Sequence, residues 1–201
     1  ISDPSLNAFV AAGQNIFVHT GLILAANSPN QLKGVLAHET GHISGGHLSR
    51  SDAAMAKAMR PAFISIGLGV LAMAAGAGDA GAALISGSPQ FAMASYARFS
   101  QVQEASADQA GLSFMEASGQ SGQGLLGFFD KFRYEEVMSD ARRSPYFRTH
   151  PLSSQRIESL RQRIDASAYR DTPDTPEDLK RFKMMQAKLY GFLETPSRTR
   201  A

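Results

Sequence analysis

Apolar residues recur along the chain at two different periods. Residues 16 to 24, IFVHTGLIL, are rich in β-branched and aromatic side chains and follow the turn signal Gly13, which predicts a strand running into an apolar segment. Beyond it the period lengthens: Leu32, Val35, Leu36 and Ile43 recur at helical spacing, with Ser28 as N-cap, Pro29 in the first turn and Gly45-Gly46 as the stop. A short polar helix, Ser51 to Met59, then leads to Pro61. From Pro61 to Gly78 eighteen residues carry no charge, and Asp79 is the only charged residue before Arg98. Glycine and alanine dilute this run and its length only approaches that of a membrane-spanning helix, so residues 61 to 97 read as a helical hairpin, buried or lid-like, in preference to a true span. Residues 90 to 118 predict a long helix closed by Gly119, and GLLGFFDKF opens another. SPYFRTHP, Ser144 to Pro151, reads as a loop, and SSQRIESLRQRI as a helix. The linker DTPDTPED separates these from an amphipathic helix, LKRFKMMQAKLYGFL. There is no internal repeat.

With 201 residues, 43% of them hydrophobic, the chain can bury one sizeable core and a small appendage. The 20 basic and 18 acidic residues are interspersed except in a basic tail, and a net charge of +2 gives no reason to expect a nucleic-acid partner. The absence of cysteine removes disulfides and thiolate metal sites, so any zinc must be held by His, Asp or Glu. ISDPSLNAF has neither an initiator Met nor an apolar signal core, and reads as the start of a piece of a longer precursor.

The helix that starts at Pro29 carries HETGH. His38 and His42, four apart, stand on one face and can pinch an ion between them. With Glu39 beside them they form HExxH, the pattern in which two imidazoles hold zinc and the glutamate acts as base on the water that zinc activates. His47 falls one residue short of the third-ligand position of the metzincin pattern, where Leu48 stands instead. The better third ligand is Glu104 in QVQEASADQAG, on the long helix. Asp108, four residues on, is placed to hold the other ring nitrogen of a coordinating histidine.

Five segments in order, NAF, FVHTGLI, LKGVLAHETGHISGGH, EASADQAGL and THPLSSQRI, make residues 6 to 165 resemble the gluzincin endopeptidases of the HtpX and BepA type, closest to the periplasmic BepA-like branch. The resemblance implies an α+β, mainly α-helical zincin-type domain with a small sheet whose substrate-binding edge strand is about Asn15 to Thr20. It implies one zinc per chain on His38, His42 and Glu104, Glu39 as general base, and Asp108 behind the ligands. Gln101-Val102-Gln103 departs from the Arg-Asx or Arg-Ser common before the family's ligand glutamate. On this reading residues 1–170 are the peptidase domain, and residues 171–201 lead toward tetratricopeptide repeats. The chain would hydrolyse unfolded or misassembled envelope polypeptides in the periplasm, with outer-membrane assembly proteins as partners and peripheral membrane contact through residues 61–97. The alternative is a gated zinc-binding adaptor or chaperone that seldom cuts. His150 and Arg156, in HPLSSQR, are the candidates for a second donor to the oxyanion, and His150, held out of helix by Pro151, is also a candidate fourth ligand that gates the site. Tyr96 and Tyr146 read as packing residues.

Overall fold

The computed structural model describes residues 1–139 and 141–193; the basic tail and the end of the segment leading toward repeats lie outside the described residues. The chain divides into two compact units, one made of Ile1–Gly45 together with the chain from Glu104 onward, the other of Gly46–Gln103.

The first unit opens with a two-stranded antiparallel sheet, β1 (Ala8–Ala11) and β2 (Asn15–Val18), in the register Ala8 to Val18 and Phe9 to Phe17. Ala12 and Gly13, both at positive φ, make the turn, and the rings of Phe9 and Phe17 stack across the ladder 5.4 Å apart. β1 is a strand that alternation does not reveal, because AFVA is short and flanked by alanines of low strand propensity. The anticipated edge strand ends at Val18, and the apolar residues after it form α1 (Thr20–Ala25).

α2 (Pro29–Ser44) starts and stops where its capping residues require. The Ser28 hydroxyl accepts from the Gln31 N–H at 3.2 Å, and Gly45 is the C-cap. α5 (Ser88–Ala117, numbered in chain order) begins in the second unit and ends in the first. Its C-terminal half packs on α2 through glycine. A β-carbon at Gly41 would lie 2.5 Å from the Ala107 carbonyl oxygen, so only glycine allows this approach, which brings the two chemical faces together. α6 (Gln123–Lys131), α7 (Pro145–Thr149) and α8 (Ser154–Asp165) complete the core, with a 3₁₀ turn at Arg133–Val137 after α6. Phe128, Phe129, Tyr146 and Phe147 form its aromatic centre, joined by Leu22, Val35, Leu112, Leu125 and Leu160. Each such side chain contributes roughly 1.5–3 kcal/mol on burial. α9 (Pro176–Leu193) packs on α1 and α2, with Phe182 buried and the Gln186 amide donating to the carbonyls of Ile23 and Ala26.

In the second unit α3 (Ser51–Ala74) and α4 (Gly78–Ser86) form an antiparallel hairpin. α3 runs without a break through Pro61, so the polar segment and the apolar run are one helix. The cost of the proline is reduced because Pro61 and Lys57, the residue whose carbonyl it cannot bond, are both exposed. A hairpin is present where one is expected, but most of its large apolar side chains are exposed and not buried.

Candidate metal centre

α2 sets His38 and His42 one above the other, with their Nε2 atoms 3.1 Å apart. Across the glycine seam, α5 brings Glu104 to 3.4 Å from His38 Nε2 and 3.3 Å from His42 Nε2. The fourth member is His150. Its Nδ1 lies 3.5 Å from His38 Nε2 and 3.2 Å from Glu104 Oε1. These four groups offer donor atoms within 4.8 Å of one another, and all but His42 are buried. The fit to an ion can be tested on the spacing of the donors. A tetrahedral zinc with bonds of about 2.0–2.1 Å has ligand–ligand edges of about 3.3–3.4 Å. The five separations above, with His38 facing Glu104 Oε2 and His42 and His150 facing Oε1, run from 3.1 to 3.5 Å, around that edge, so the donor set fits a small divalent metal.

Behind the donors stands a second row of charge. Asp108 Oδ1 is 2.9 Å from His38 Nδ1, so it accepts that ring proton and leaves Nε2 free to face the cluster. Asp108 is itself held by Arg156, whose Nε and Nη2 each donate to the carboxylate at 2.8 Å. Arg156 Nη1 donates to the Pro151 carbonyl at 2.7 Å and lies 3.1 Å from Glu104 Oε2. One guanidinium therefore ties the orienting acid, the candidate ligand and the His150–Pro151 turn together. Ser153 fixes the backbone that carries it, because its hydroxyl accepts from the Arg156 main-chain N–H and caps α8.

Glu39 is fully buried, and neither of its carboxylate oxygens has a hydrogen-bond partner among the described residues. The nearest imidazole atom, His150 Nε2, is 3.5 Å away. A carboxylate buried without a hydrogen-bond partner is costly for stability, and this one lies beside the donor cluster.

Burial opposes charge throughout the site, yet the partners decide the outcome. Burial disfavours protonated His38, but Asp108 and Glu104 outweigh it and push its pKa up to about 10. His42 moves down, because burial, with the charge of His38 and His150, outweighs its bond to Glu104. Burial would raise Glu104, but His150, His38 and His42 hold its carboxyl well below the usual range. Asp108 is likewise lowered against burial, chiefly by Arg156. Tyr146 is pushed up by burial and by the negative charge of Glu39 and Glu104.

His38, His42, Glu104, His150, Glu39, Asp108 and Arg156 thus meet in one place. His47 is not among the four clustered donors, and His19 faces the Ser5 hydroxyl, 2.9 Å away. The segment expected to be a loop contains a one-turn helix, α7, whose C-cap is His150 at φ −121° and ψ 75°, outside the helical region as the following proline requires. Tyr146 is a packing residue at the site itself: its ring lies 4.8 Å from that of His150, at 36° to it, and fixes one wall of the cluster. Nothing local in SPYFRTHP distinguishes that role from ordinary loop packing.

Residues 1–164 match the sequence profile of peptidase family M48. The chain is similar to a putative beta-barrel assembly-enhancing protease of Vibrio cholerae, 32% identical over 167 residues, covering 81% of this chain and 33% of the relative. It is 29% identical to the beta-barrel assembly-enhancing protease of Escherichia coli, covering 82% and 34%, and 31% identical to the metalloprotease LoiP of the same organism, covering 80% and 60%. The chain therefore spans about a third of the length of the two assembly-enhancing proteases.

Proposed function

Because the chain belongs to peptidase family M48, we propose that it is a zinc metalloendopeptidase with His38, His42 and Glu104 as ligands and Glu39 as general base. The observation that carries this is the convergence of three buried or half-buried donors beside a buried, unpartnered carboxylate. Zinc, when bound, supplies Lewis acidity, polarising the scissile carbonyl and making water a stronger acid. Glu39 takes the proton of the attacking water and delivers it to the leaving amine. Asp108 keeps His38 in the tautomer that offers Nε2 to the ion, and Arg156 keeps Asp108 in place. With Nε, Nη1 and Nη2 all engaged inside the protein, Arg156 serves better as a positioning residue than as a donor to substrate.

The substrates we infer are unfolded or misassembled polypeptides of the bacterial envelope, in the periplasm, with outer-membrane assembly proteins as partners. The names of the relatives, beta-barrel assembly-enhancing proteases, support the assembly context, and on this reading residues 1–170 are the peptidase domain, against which α9 of the 171–201 segment packs. A substrate can add to the sheet by backbone pairing, which suits loose sequence preference. Ile1 already bonds the outer side of β2 at Val18 and Thr20, whereas β1 is tied through the Leu6 carbonyl to Tyr146, four residues before His150. That connection favours the outer edge of β1, at Val10, as the receiving edge. The adaptor reading is less favoured, because a protein that only binds has no use for a buried glutamate that lacks a hydrogen-bond partner among the described residues.

Chelation tests the whole assignment. Stripping the metal with 1,10-phenanthroline should abolish degradation of an unfolded protein such as reduced casein, and one equivalent of zinc should restore it. Undiminished cleavage by protein shown to be metal-free would end the proposal.

His150 has two possible roles. As a gate it would take the fourth ligand position at rest, and His150→Ala would then degrade casein faster than wild type. As a donor to the oxyanion it would act only in the transition state, and the same change would slow turnover with zinc content intact. An unchanged rate and metal content would remove His150 from the chemistry.

A further inference from the structure

The second unit distributes its side chains in the reverse of a globular core. On α3 the residues turned inward are small: Ala58, Ala62, Ser65 and Gly69 are buried. Gly69 meets Gly81 of α4 so closely that a β-carbon on either would lie within 2.8 Å of the other's carbonyl oxygen. The Ser65 hydroxyl donates to the Leu84 carbonyl at 2.7 Å. The large apolar side chains Phe63, Ile64, Ile66, Leu68, Val70 and Leu71 point outward, with exposures from 37% for Ile66 to 67% for Leu71, while Met73 packs against Gly81 of α4. At about 100° per residue they spread over roughly 200° of the helix circumference, while the inward stripe covers only about 60°.

A protein groove takes one face of a helix, whereas a surface apolar over more than half its circumference needs an environment that surrounds it. The dimensions specify that environment further. From Pro61 to Ala74 the uncharged part of α3 is about 21 Å long at 1.5 Å per residue. A full hydrocarbon core is about 30 Å thick, so one leaflet is about 15 Å. By length and composition Met55–Ala74 could cross a bilayer, but it contains the exposed Lys57 and Arg60, and exposed Asp79 follows at the other end of the uncharged run. The stretch between these charges is shorter than the full core and longer than one leaflet, so the hairpin fits lying along a single leaflet with its charged ends at the headgroups. Lys57 and Arg60, both exposed, stand within one turn of the point where charge ceases, which complements anionic headgroups. We propose that the α3–α4 hairpin buries the outward apolar face of α3 in one leaflet of an anionic lipid bilayer, with Asp79, exposed in the first turn of α4, left among the headgroups. The inference does not depend on the protease assignment.

The chain has no tryptophan, so a single introduced indole reports its own surroundings. Leu71→Trp in the full chain, mixed with phosphatidylglycerol-containing vesicles, should shift its emission to the blue and be quenched by lipids brominated on the acyl chain. Val137→Trp, at an 88% exposed position in the first unit, should do neither. Adding Ile64→Asp and Leu68→Asp to the Leu71→Trp chain should weaken vesicle partitioning about tenfold or more while zinc content is unchanged. An unshifted indole overturns the proposal, including where the protein still floats with the vesicles, since contact is then with headgroups alone. A blue shift without lipid, together with a doubled mass by light scattering, also overturns it and assigns the surface to a second copy of the chain.

Discussion

Glu39→Gln is expected to retain one zinc per chain and to lose casein hydrolysis by about 10²–10⁴-fold, the usual worth of a positioned general base. The two readouts separate because Glu39 is not one of the four clustered donors. Glutamine has nearly the same volume, so the fully buried position is filled as before. Only the ability to take a proton is lost, and kcat should fall with zinc content unchanged. Removing a buried, unpartnered charge should leave folding intact or improve it, which predicts a thermal midpoint no lower than wild type. Turnover near the wild-type rate in zinc-loaded Glu39→Gln would reject the base assignment. His150, with Nε2 3.5 Å from Glu39 and Nδ1 turned toward the donors, would then be the remaining candidate.

What was legible in the sequence was what depends on local spacing. The four-residue interval between His38 and His42, the Ser28–Pro29 start of their helix and the Glu104–Asp108 pair can each be read within a few residues, because a helix converts interval directly into direction. Properties decided by distant neighbours were not legible. AFVA is a strand because residues 15–18 pair with it. Arg156 reads equally well as a surface charge, and its burial follows from Asp108 and Glu104 arriving on another helix 48 and 52 positions earlier in the chain. The outward apolar face of α3 was hidden for a related reason: periodicity separates large from small residues but does not say which set faces in. The packing at Gly69 and Gly81 decides that.

Glu104→Ala should abolish stoichiometric zinc binding, a larger loss than the roughly 10–100-fold expected for removing an outer partner such as Asp108. Glu104 is 3.3–3.4 Å from both ligand imidazoles of α2 and is the only carboxylate among the four clustered donors. Without it the site keeps imidazoles alone and loses the negative charge that offsets the metal's. The effect should also appear in stability. A ligand bound only by the folded state, at 100 times its dissociation constant, adds about 2.7 kcal/mol. Zinc should therefore raise the thermal midpoint of wild type, and Glu104→Ala should lack that increment. Arg156 loses one neighbour in this variant but keeps both bonds to Asp108, so the fold should survive without metal. His47→Ala, by contrast, should bind zinc as wild type does, because His47 is outside the cluster. Wild-type zinc affinity in Glu104→Ala would mean that His150 completes the set. The double variant Glu104→Ala/His150→Ala would then lose the ion, whereas on the present assignment the His150 change adds nothing to a site already empty of zinc.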